Sequence, residues 1–372
     1  MESQHTQDTA ILIPSYKPDH KLAPYVVALK AAGFAKIILV DDGSGAAFAP
    51  VFDAIPQDDV THILHYAPNG GKGVALKRGM QYLWEECPQC QFVITADSDG
   101  QHTVPDALRM CEQLHLEPSG LLLGTRDFAQ SHVPTRSLMG NRITSVVFFL
   151  LYGHWLTDTQ TGLRGFSRDL LPAMMAVRGS RYEYEMNMLI ACATQRIPMH
   201  SLTIETVYEN NNEGSHFRTI QDSARVYGII MAGFFRFASV SLLSFLMDFG
   251  LYLALNTLLK AYAPGLEHEF HFLFITMMTR ILVATVLARL GSGLFNFFLN
   301  KKFVFADRSA LGKSLPRYLI VFFLVMFLSA GLTSSFHLWF GFSDNTAKIP
   351  VDILLFFVSY QLQQKWVFTK KG

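Results

Sequence analysis

Apolar runs of two very different lengths divide this chain. Over the first 216 residues or so they are short: residues 10–14 (AILIP), 36–40 (KIILV), 92–96 (FVITA) and 120–124 (GLLLG). Runs of this length, separated by helix-length segments, predict buried strands in a largely parallel sheet, and so an α/β domain of Rossmann-like type. Each run is followed at once by a polar cluster: Ser15-Tyr16-Lys17, Asp41-Asp42-Gly43-Ser44, Asp97-Ser98-Asp99-Gly100-Gln101-His102, and Thr125-Arg126-Asp127. In a parallel sheet these clusters gather at the carboxyl edge, where ligands bind.

Beyond Arg236 the runs lengthen. Residues 237–259 contain Asp248 as their only ionisable member. At 1.5 Å per residue such a helix is about 34 Å long, enough for a hydrocarbon core of about 30 Å. Residues 272–299, interrupted by Arg280 and Arg289, and 318–340 predict two further spans, and 349–363, opening with Pro350 and Asp352, a shorter fourth. Asp248, Arg280 and Arg289 are costly in a bilayer and predict pairing inside the bundle, with Arg289 alternatively near the surface. Lys301, Lys302, Arg308, Lys313 and Arg317 face one acid, Asp307, in the loop after the second span, whereas Lys260 is outnumbered by Glu267 and Glu269 in the loop before it. The positive-inside rule puts the first of these loops, and with it the N-terminal domain, in the cytosol. Lys365, Lys370 and Lys371 favour the same side, which needs an even number of spans.

The pattern Lys301-Lys302-Phe303-Val304-Phe305 recurs as Gln364-Lys365-Trp366-Val367-Phe368, either a duplicated two-helix unit or chance in an aromatic-rich chain. Residues 217–235 carry Phe217, Ile220, Ala224, Tyr227, Met231 and Phe234 at helical spacing, and predict an interfacial helix or linker leading into the first span. Residues 143–156 are apolar but too short to span, and fit either a core helix or a membrane-surface helix. Three segments follow: a cytosolic domain over 1–216, the linker over 217–235 and a four-span domain over 236–372.

Composition agrees with a mixed chain. Half of the 372 residues are hydrophobic, 16% are charged and the formal net charge is +1; mean hydropathy is +0.23. A wholly soluble enzyme would carry about 25% charge, and a nucleic-acid partner would want a basic surface. Four cysteines are too few for a disulfide scaffold, and Cys87-x-x-Cys90 lacks a second ligand pair for zinc. The opening MESQHTQDTA lacks the basic and apolar regions of a signal peptide, as expected of a cytosolic N-terminal domain.

The chemistry gathers around Asp97-x-Asp99-x-Gln101. Two carboxylates and an amide within one turn suit a hard cation such as Mg²⁺ or Mn²⁺, usually held by one or two carboxylates plus substrate phosphates. A solvated turn is the alternative. Asp41-Asp42-Gly43-Ser44 suits a base or ribose, and Asn69-Gly70-Gly71-Lys72-Gly73 opens a helix where backbone N–H groups and a lysine meet phosphate. That loop lacks the Walker spacing. Glu183 and Glu185 either flank a substrate or form a helix face.

In order, Ile13-Pro14-Ser15-Tyr16, Asp41-Asp42-Gly43-Ser44, Asn69 to Gly73, Asp97-Ser98-Asp99-Gly100-Gln101-His102, Thr161-Gly162-Leu163-Arg164-Gly165-Phe166 and Glu213-Gly214-Ser215 resemble family 2 glycosyltransferases of the GT-A fold, above all the dolichyl-phosphate mannose synthase group of polyprenyl-phosphate hexose synthases. The C-terminal part, with Asn296-Phe297, Asn300 to Phe305 and Trp366-Val367-Phe368, resembles a GtrA-type four-helix membrane domain. The resemblance implies inverting, metal-dependent transfer of one hexose from a nucleotide-sugar to undecaprenyl or dolichyl phosphate. It implies Asp97, Asp99 and Gln101 as metal ligands. Pro14, Ser15, Tyr16, Asp42 and Ser98 would lie on the donor, Lys72 near its phosphates, and Arg126 and Arg136 on the acceptor phosphate. Lys17-Pro18 replaces the family's usual Asn-Glu, leaving UDP and GDP both open, and His216 stands where a basic residue is usual. The absence of Gln-x-x-Arg-Trp disfavours a processive synthase. The implied setting is a multi-pass protein of a bacterial inner membrane, with a homo-oligomer left open. The alternative is a lipid-linked sugar translocation or binding protein with an inactive transferase domain.

Overall fold

A computed structural model describes residues 5–126, 135–205, 219–272, 275–307, 309–340 and 344–368. The chain forms two compact units, residues 1–230 and 231–372.

The first unit alternates strand and helix: β1 (Thr9–Ser15), α1 (Leu22–Ala31), β2 (Lys36–Asp42), α2 (Ala49–Asp53), β3 (Thr61–Tyr66), α3 (Lys72–Glu86), β4 (Phe92–Thr95), α4 (Val104–Leu116), β5 (Leu121–Arg126), α5 (Thr135–Tyr152), β6 (Arg164–Ser167), α6 (Leu171–Met175), α7 (Glu183–Gln195) and β7 (Met199–Ile204). The sheet order is β3-β2-β1-β4-β6-β5-β7. Every strand is parallel to its neighbours except β6, which runs antiparallel between β4 and β5. This is the mostly parallel α/β sheet expected of the four apolar runs, which fall on β1, β2, β4 and β5. Ile11, Ile13, Ile37, Leu39 and Ile94 from the central strands meet Leu22, Val26, Met110 and Leu114 from α1 and α4 in one core. Pro14, which cannot donate to a ladder, sits where β1 has already outrun β4, whose last partner is Leu12.

Because β6 is antiparallel, it begins at the edge where the parallel strands end. That puts Thr161 and Gly162 beside the polar clusters. The strands β3 and β7 have mixed inner and outer positions (THILHY, MHSLTI), which hid them among polar segments.

The chain passes into the second unit on α8 (Thr219–Tyr262), followed by a hairpin of β8 (Glu269–Phe272) and β9 (Ile275–Met278), then α9 (Thr279–Leu299), α10 (Leu311–Phe340) and α11 (Asp344–Leu362). The 217–235 linker and the first span are therefore one continuous helix from Thr219; nothing between Phe234 and Val240 breaks it. The helix of the expected second span begins at Thr279 rather than residue 272, because Glu269–Phe272 and Ile275–Met278 pair as antiparallel strands. Helices α10 and α11 start earlier than their apolar stretches and carry Pro316 and Pro350 inside them, past the first turn, where each removes one i→i−4 hydrogen bond. Among the described residues, Tyr227–Tyr262 and Thr279–Val304 are long and apolar enough to cross a membrane.

Both α9 and α11 end in a π-helical turn, Asn300–Val304 and Gln363–Val367, the two copies of the repeated pattern. Phe305 stacks on Phe368 at 5.1 Å between centroids, and Asn300 Nδ2 donates to Gln363 Oε1 at 3.3 Å. The ionisable groups of the apolar helices α8 and α9 find partners: Arg280 lies 2.8 Å from Glu267, and Asp248 accepts from Ser292 Oγ at 2.9 Å with Arg289 at 3.5 Å.

Candidate active site

The carboxyl edge of the sheet is stitched together before any ligand arrives. Ser44 Oγ accepts from the Lys17 N–H at 2.9 Å, and the Ser44 N–H donates to Asp41 Oδ1 at 2.9 Å, tying the β1 and β2 ends to each other. The neighbouring aspartates face opposite ways, as successive strand residues must. Asp42 turns inward, and its two oxygens accept the N–H groups of Gly70 at 2.9 Å and Gly71 at 2.5 Å. Its carboxylate thus braces the Asn69-Gly70-Gly71 loop instead of standing open for a nucleoside. Asp41 lines a cavity of about 360 Å³ with Gly43, Phe52, Asp53, His65 and Tyr66, a size typical of ligand pockets. Its second oxygen lies 3.0 Å from His65 Nδ1. Pro14 and Ser15 end β1, Ser15 buried with a hydroxyl lacking a partner among the described residues, and Tyr16 is exposed on the edge.

Gly71 adopts φ +97°, and a Cβ there would lie 2.6 Å from the Ser180 carbonyl oxygen. That close approach launches α3 so that Lys72, its first residue, points into the site. Lys72 Nζ bridges Asp97 Oδ1 at 2.6 Å and Glu185 Oε1 at 2.9 Å. Burial opposes the charge on Lys72, but the two carboxylates outweigh it and hold the ammonium above its ordinary range. Burial likewise opposes the charge on Asp97; Lys72 and His102 win, keeping its carboxyl far below the usual range. Lys72 is therefore a partner of the acidic turn, and the sequence motif alone could not distinguish this from a phosphate contact.

The turn from Asp97 to His102 is held at both ends. Thr95 Oγ1 donates to the Gly162 carbonyl at 2.8 Å, and Thr103 caps α4 by accepting the Asp106 N–H at 3.2 Å. Gly162 lies so close that a Cβ would collide with the Asp97 carboxylate. Within the turn, Asp99 Oδ1 accepts the Gln101 N–H at 3.1 Å, and Ser98 and Gln101 are half-buried. Asp99 itself is exposed on the turn; desolvation by the surrounding residues, then the charge of Asp97, pushes its carboxyl up. The Tyr25 hydroxyl from α1 is buried near the same carboxylates with no partner among the described residues; burial, then those charges, raises its pKa.

Across the edge, Arg126 at the end of β5 meets Asp158, which is closed to solvent. Nε and Nη2 donate to its two oxygens at 2.7 and 3.0 Å, a bidentate pair that fixes the plane of the guanidinium. Arg136 is the second residue of α5, and its side chain lies outside the described residues, as do Asp127 and Glu213 to His216. Glu183 caps the Ser180 and Arg181 N–H groups at 2.9 and 3.1 Å, so only Glu185 of that pair enters the site. The Lys72–Asp97–Glu185 cluster joins residues far apart in the chain, and no local pattern announces it. Cys87 and Cys90 are both buried, and burial pushes the Cys90 thiol up to about 12, which leaves it inert.

An acidic turn, a glycine-shaped helix start and a fixed arginine on the carboxyl edge of such a sheet, in a chain that also carries span-length helices, fit a membrane-bound transferase. Residues 10–174 match glycosyl transferase family 2, and residues 236–368 match the GtrA/DPMS transmembrane domain. The chain is a family 2 glycosyltransferase that carries a GtrA/DPMS membrane domain, and so a membrane protein. Among curated relatives it is 25% identical over 217 residues to the UDP-N-acetylglucosamine–dolichyl-phosphate N-acetylglucosaminyltransferase of Methanococcus voltae, covering 53% of this chain and 85% of that one. It is 26% identical over 233 residues to glycosyltransferase AglJ of Haloferax volcanii, covering 62% and 72%. Among solved structures, glucosyl-3-phosphoglycerate synthase of Mycobacterium tuberculosis aligns at TM-score 0.46 and 14% identity over 61% of this chain and 79% of that one.

Proposed function

We propose that this enzyme transfers one hexose, with inversion, from a nucleotide-sugar to a polyprenyl phosphate at the cytosolic membrane face. The observation that carries this is the Asp97–Asp99 turn held beside Lys72 and Glu185 on the sheet edge, with the Asp158-aimed Arg126 on the same edge. The name of the M. voltae relative, with its dolichyl-phosphate acceptor, supports the acceptor class.

The donor set suits Mg²⁺ or Mn²⁺. Asp97, Asp99 and Gln101 supply hard oxygens from one turn. Two carboxylates and an amide leave coordination positions for water and diphosphate. When bound, the cation neutralises the charge that develops on the departing diphosphate. The remaining work falls to the chain. The cavity beside Asp41 receives base and ribose, and Asp42 keeps the Gly70-Gly71 loop in register behind it. Lys72 and His102 hold Asp97 ionised and oriented, with Glu185 keeping Lys72 in place.

The acceptor needs no strong base. A phosphate monoester has a second pKa of about 6, so its attacking oxygen is already anionic at neutral pH. Arg126, and Arg136 from the start of α5, orient that oxygen for a single in-line displacement, which inverts the anomeric centre. Met139, Ile143, Val146 and Leu150 of α5 are all exposed at helical spacing. That apolar stripe suits a membrane surface, and it follows Arg136, where a lipid phosphate would arrive. The basic segment 301–317 supports a multi-pass topology with the catalytic unit cytosolic.

Purified full-length protein given labelled nucleotide-sugars, polyprenyl phosphate and Mg²⁺ is expected to form a single-sugar lipid, and Asp99→Ala to lose that activity. No product with any common donor, or full activity in Asp99→Ala, refutes the mechanism.

A further inference from the structure

The geometry points to a second phosphate site, remote in sequence from the catalytic motifs: the cavity between the end of α9 and the start of α10 holds the phosphate of an anionic membrane lipid. The cavity measures about 420 Å³ and is lined by Phe298, Lys301, Lys302, Ala306, Asp307 and Leu311. It forms just beyond the π-helical turn Asn300–Val304, where Ala306 at φ +48°, a left-handed conformation unusual for a residue with a Cβ, turns the chain back toward α10.

Its charges are sorted. Lys301 Nζ sits in a cage of Asp307 Oδ2 at 2.6 Å, the Ser309 carbonyl at 2.6 Å, Ser309 Oγ at 3.3 Å and Ser314 Oγ at 3.1 Å. Asp307 in turn accepts the Ser309 N–H at 3.0 Å and the Ser309 hydroxyl at 2.6 Å, so its negative charge is spent within the cage. Lys302 is left as the cavity's cation. Its ammonium lies 5.4 Å from the Phe303 ring centroid, and no carboxylate among the described residues is within ion-pair distance. In the matching turn at the end of α11, Gln364 stands where Lys301 stands, so this cage belongs to the first turn.

The walls decide between a lipid and a free anion. Phe298 is 51% exposed and Leu311 49%. A free phosphate gains nothing from covering them, whereas the chain next to a lipid phosphate removes them from water. The cavity also lies at the end of the span-length helix Thr279–Val304, where a helix that crosses a bilayer would meet headgroups. The inference rests on the membrane domain and not on the transfer reaction.

The test uses the full chain in phosphatidylcholine nanodiscs titrated with phosphatidylglycerol, bound lipid being counted by native mass spectrometry. Lys302→Gln is expected to weaken phosphatidylglycerol retention about fivefold, the effect of one cation close to an anionic headgroup. Lys313→Gln, exposed in the first turn of α10 but outside the cavity, should change it little. Leu311→Glu, which leaves Lys302 intact but sets a carboxylate in the wall, should also expel the lipid. Excess inorganic phosphate should not displace it. Equal losses in Lys302→Gln and Lys313→Gln would reduce the site to diffuse surface charge. Wild-type retention in Lys302→Gln or Leu311→Glu, or displacement by inorganic phosphate, would also overturn it.

Discussion

Replacing Asp158 with asparagine tests what aims Arg126. The buried carboxylate receives Nε at 2.7 Å, Nη2 at 3.0 Å and the backbone N–H groups of Arg126 and Gln160 at 3.3 and 3.0 Å. Asparagine keeps the shape and one acceptor oxygen, but removes the charge and turns an NH₂ group toward a guanidinium that can only donate. Breaking a buried pair from one side costs about 3–5 kcal/mol. Arg126 is 22% exposed, so water recovers part of this, and a loss of about 2–3 kcal/mol is expected. For a unit of this size each kcal/mol lowers Tm by roughly 2–4 °C, so unfolding of the catalytic unit should come about 4–12 °C lower. If Arg126 orients the acceptor phosphate, kcat/KM for polyprenyl phosphate should fall about 10–100-fold, tenfold being about 1.4 kcal/mol of transition-state stabilisation. The dissociation constant for the donor nucleotide should not change. Initial rates with varied acceptor at saturating donor, paired with calorimetric nucleotide titration, measure both. A lowered Tm with unchanged acceptor kcat/KM would make Asp158 a stability residue and remove Arg126 from the acceptor site; lost donor affinity with intact acceptor kinetics would move Arg126 to the donor side.

Three further outcomes are expected. Gly162→Ala forces its Cβ onto the Asp97 carboxylate, so kcat should fall about 10²-fold, the effect of displacing a reacting group by roughly 1 Å, with the fold kept by circular dichroism. Burial opposes ionisation of Asp41, yet the Ser44 and His65 hydrogen bonds hold its carboxyl below the ordinary 3.8. Its stabilisation is therefore complete above that pH and lost as pH falls through 3.8 toward the folded value. His65→Ala, by removing one of those bonds, should move the acid-unfolding midpoint of the catalytic unit upward. Ile143→Glu with Val146→Glu places carboxylates on the exposed stripe of α5; KM should rise for a long-chain acceptor in bilayers and stay unchanged for a short-chain soluble acceptor, and equal KM values in both assays would detach α5 from the membrane.

Much of the site was readable locally because its parts are strand-end motifs. An apolar run followed by Asp97-x-Asp99-x-Gln101 specifies a carboxylate turn at a sheet edge whatever the rest of the chain does, and the parallel arrangement of β1, β2, β4 and β5 then follows from alternation with helices. What a motif's side chains touch is a different matter. Asp41 and Asp42 look equivalent in sequence, yet strand alternation sends one to the cavity and the other to the Gly70 and Gly71 N–H groups. Lys72 sits in a phosphate-like loop, and Glu185, 88 residues further by chain number after Asp97, decides with Asp97 where its ammonium goes.

By itself the sequence determined the two-part organisation, the α/β class of the first part and the span-length helices of the second, because periodicity, run length and loop charge are local properties that burial and bilayer thickness act on directly. Tertiary structure alone decided the antiparallel β6 that brings Gly162 against Asp97, the Asp158 carboxylate behind Arg126, the continuity of α8 through the expected linker and the Lys301 cage beneath the second cavity. The first two are close approaches between distant segments and the last two are set within one segment; in each case the energy depends on distances of a few ångströms that no residue pattern encodes.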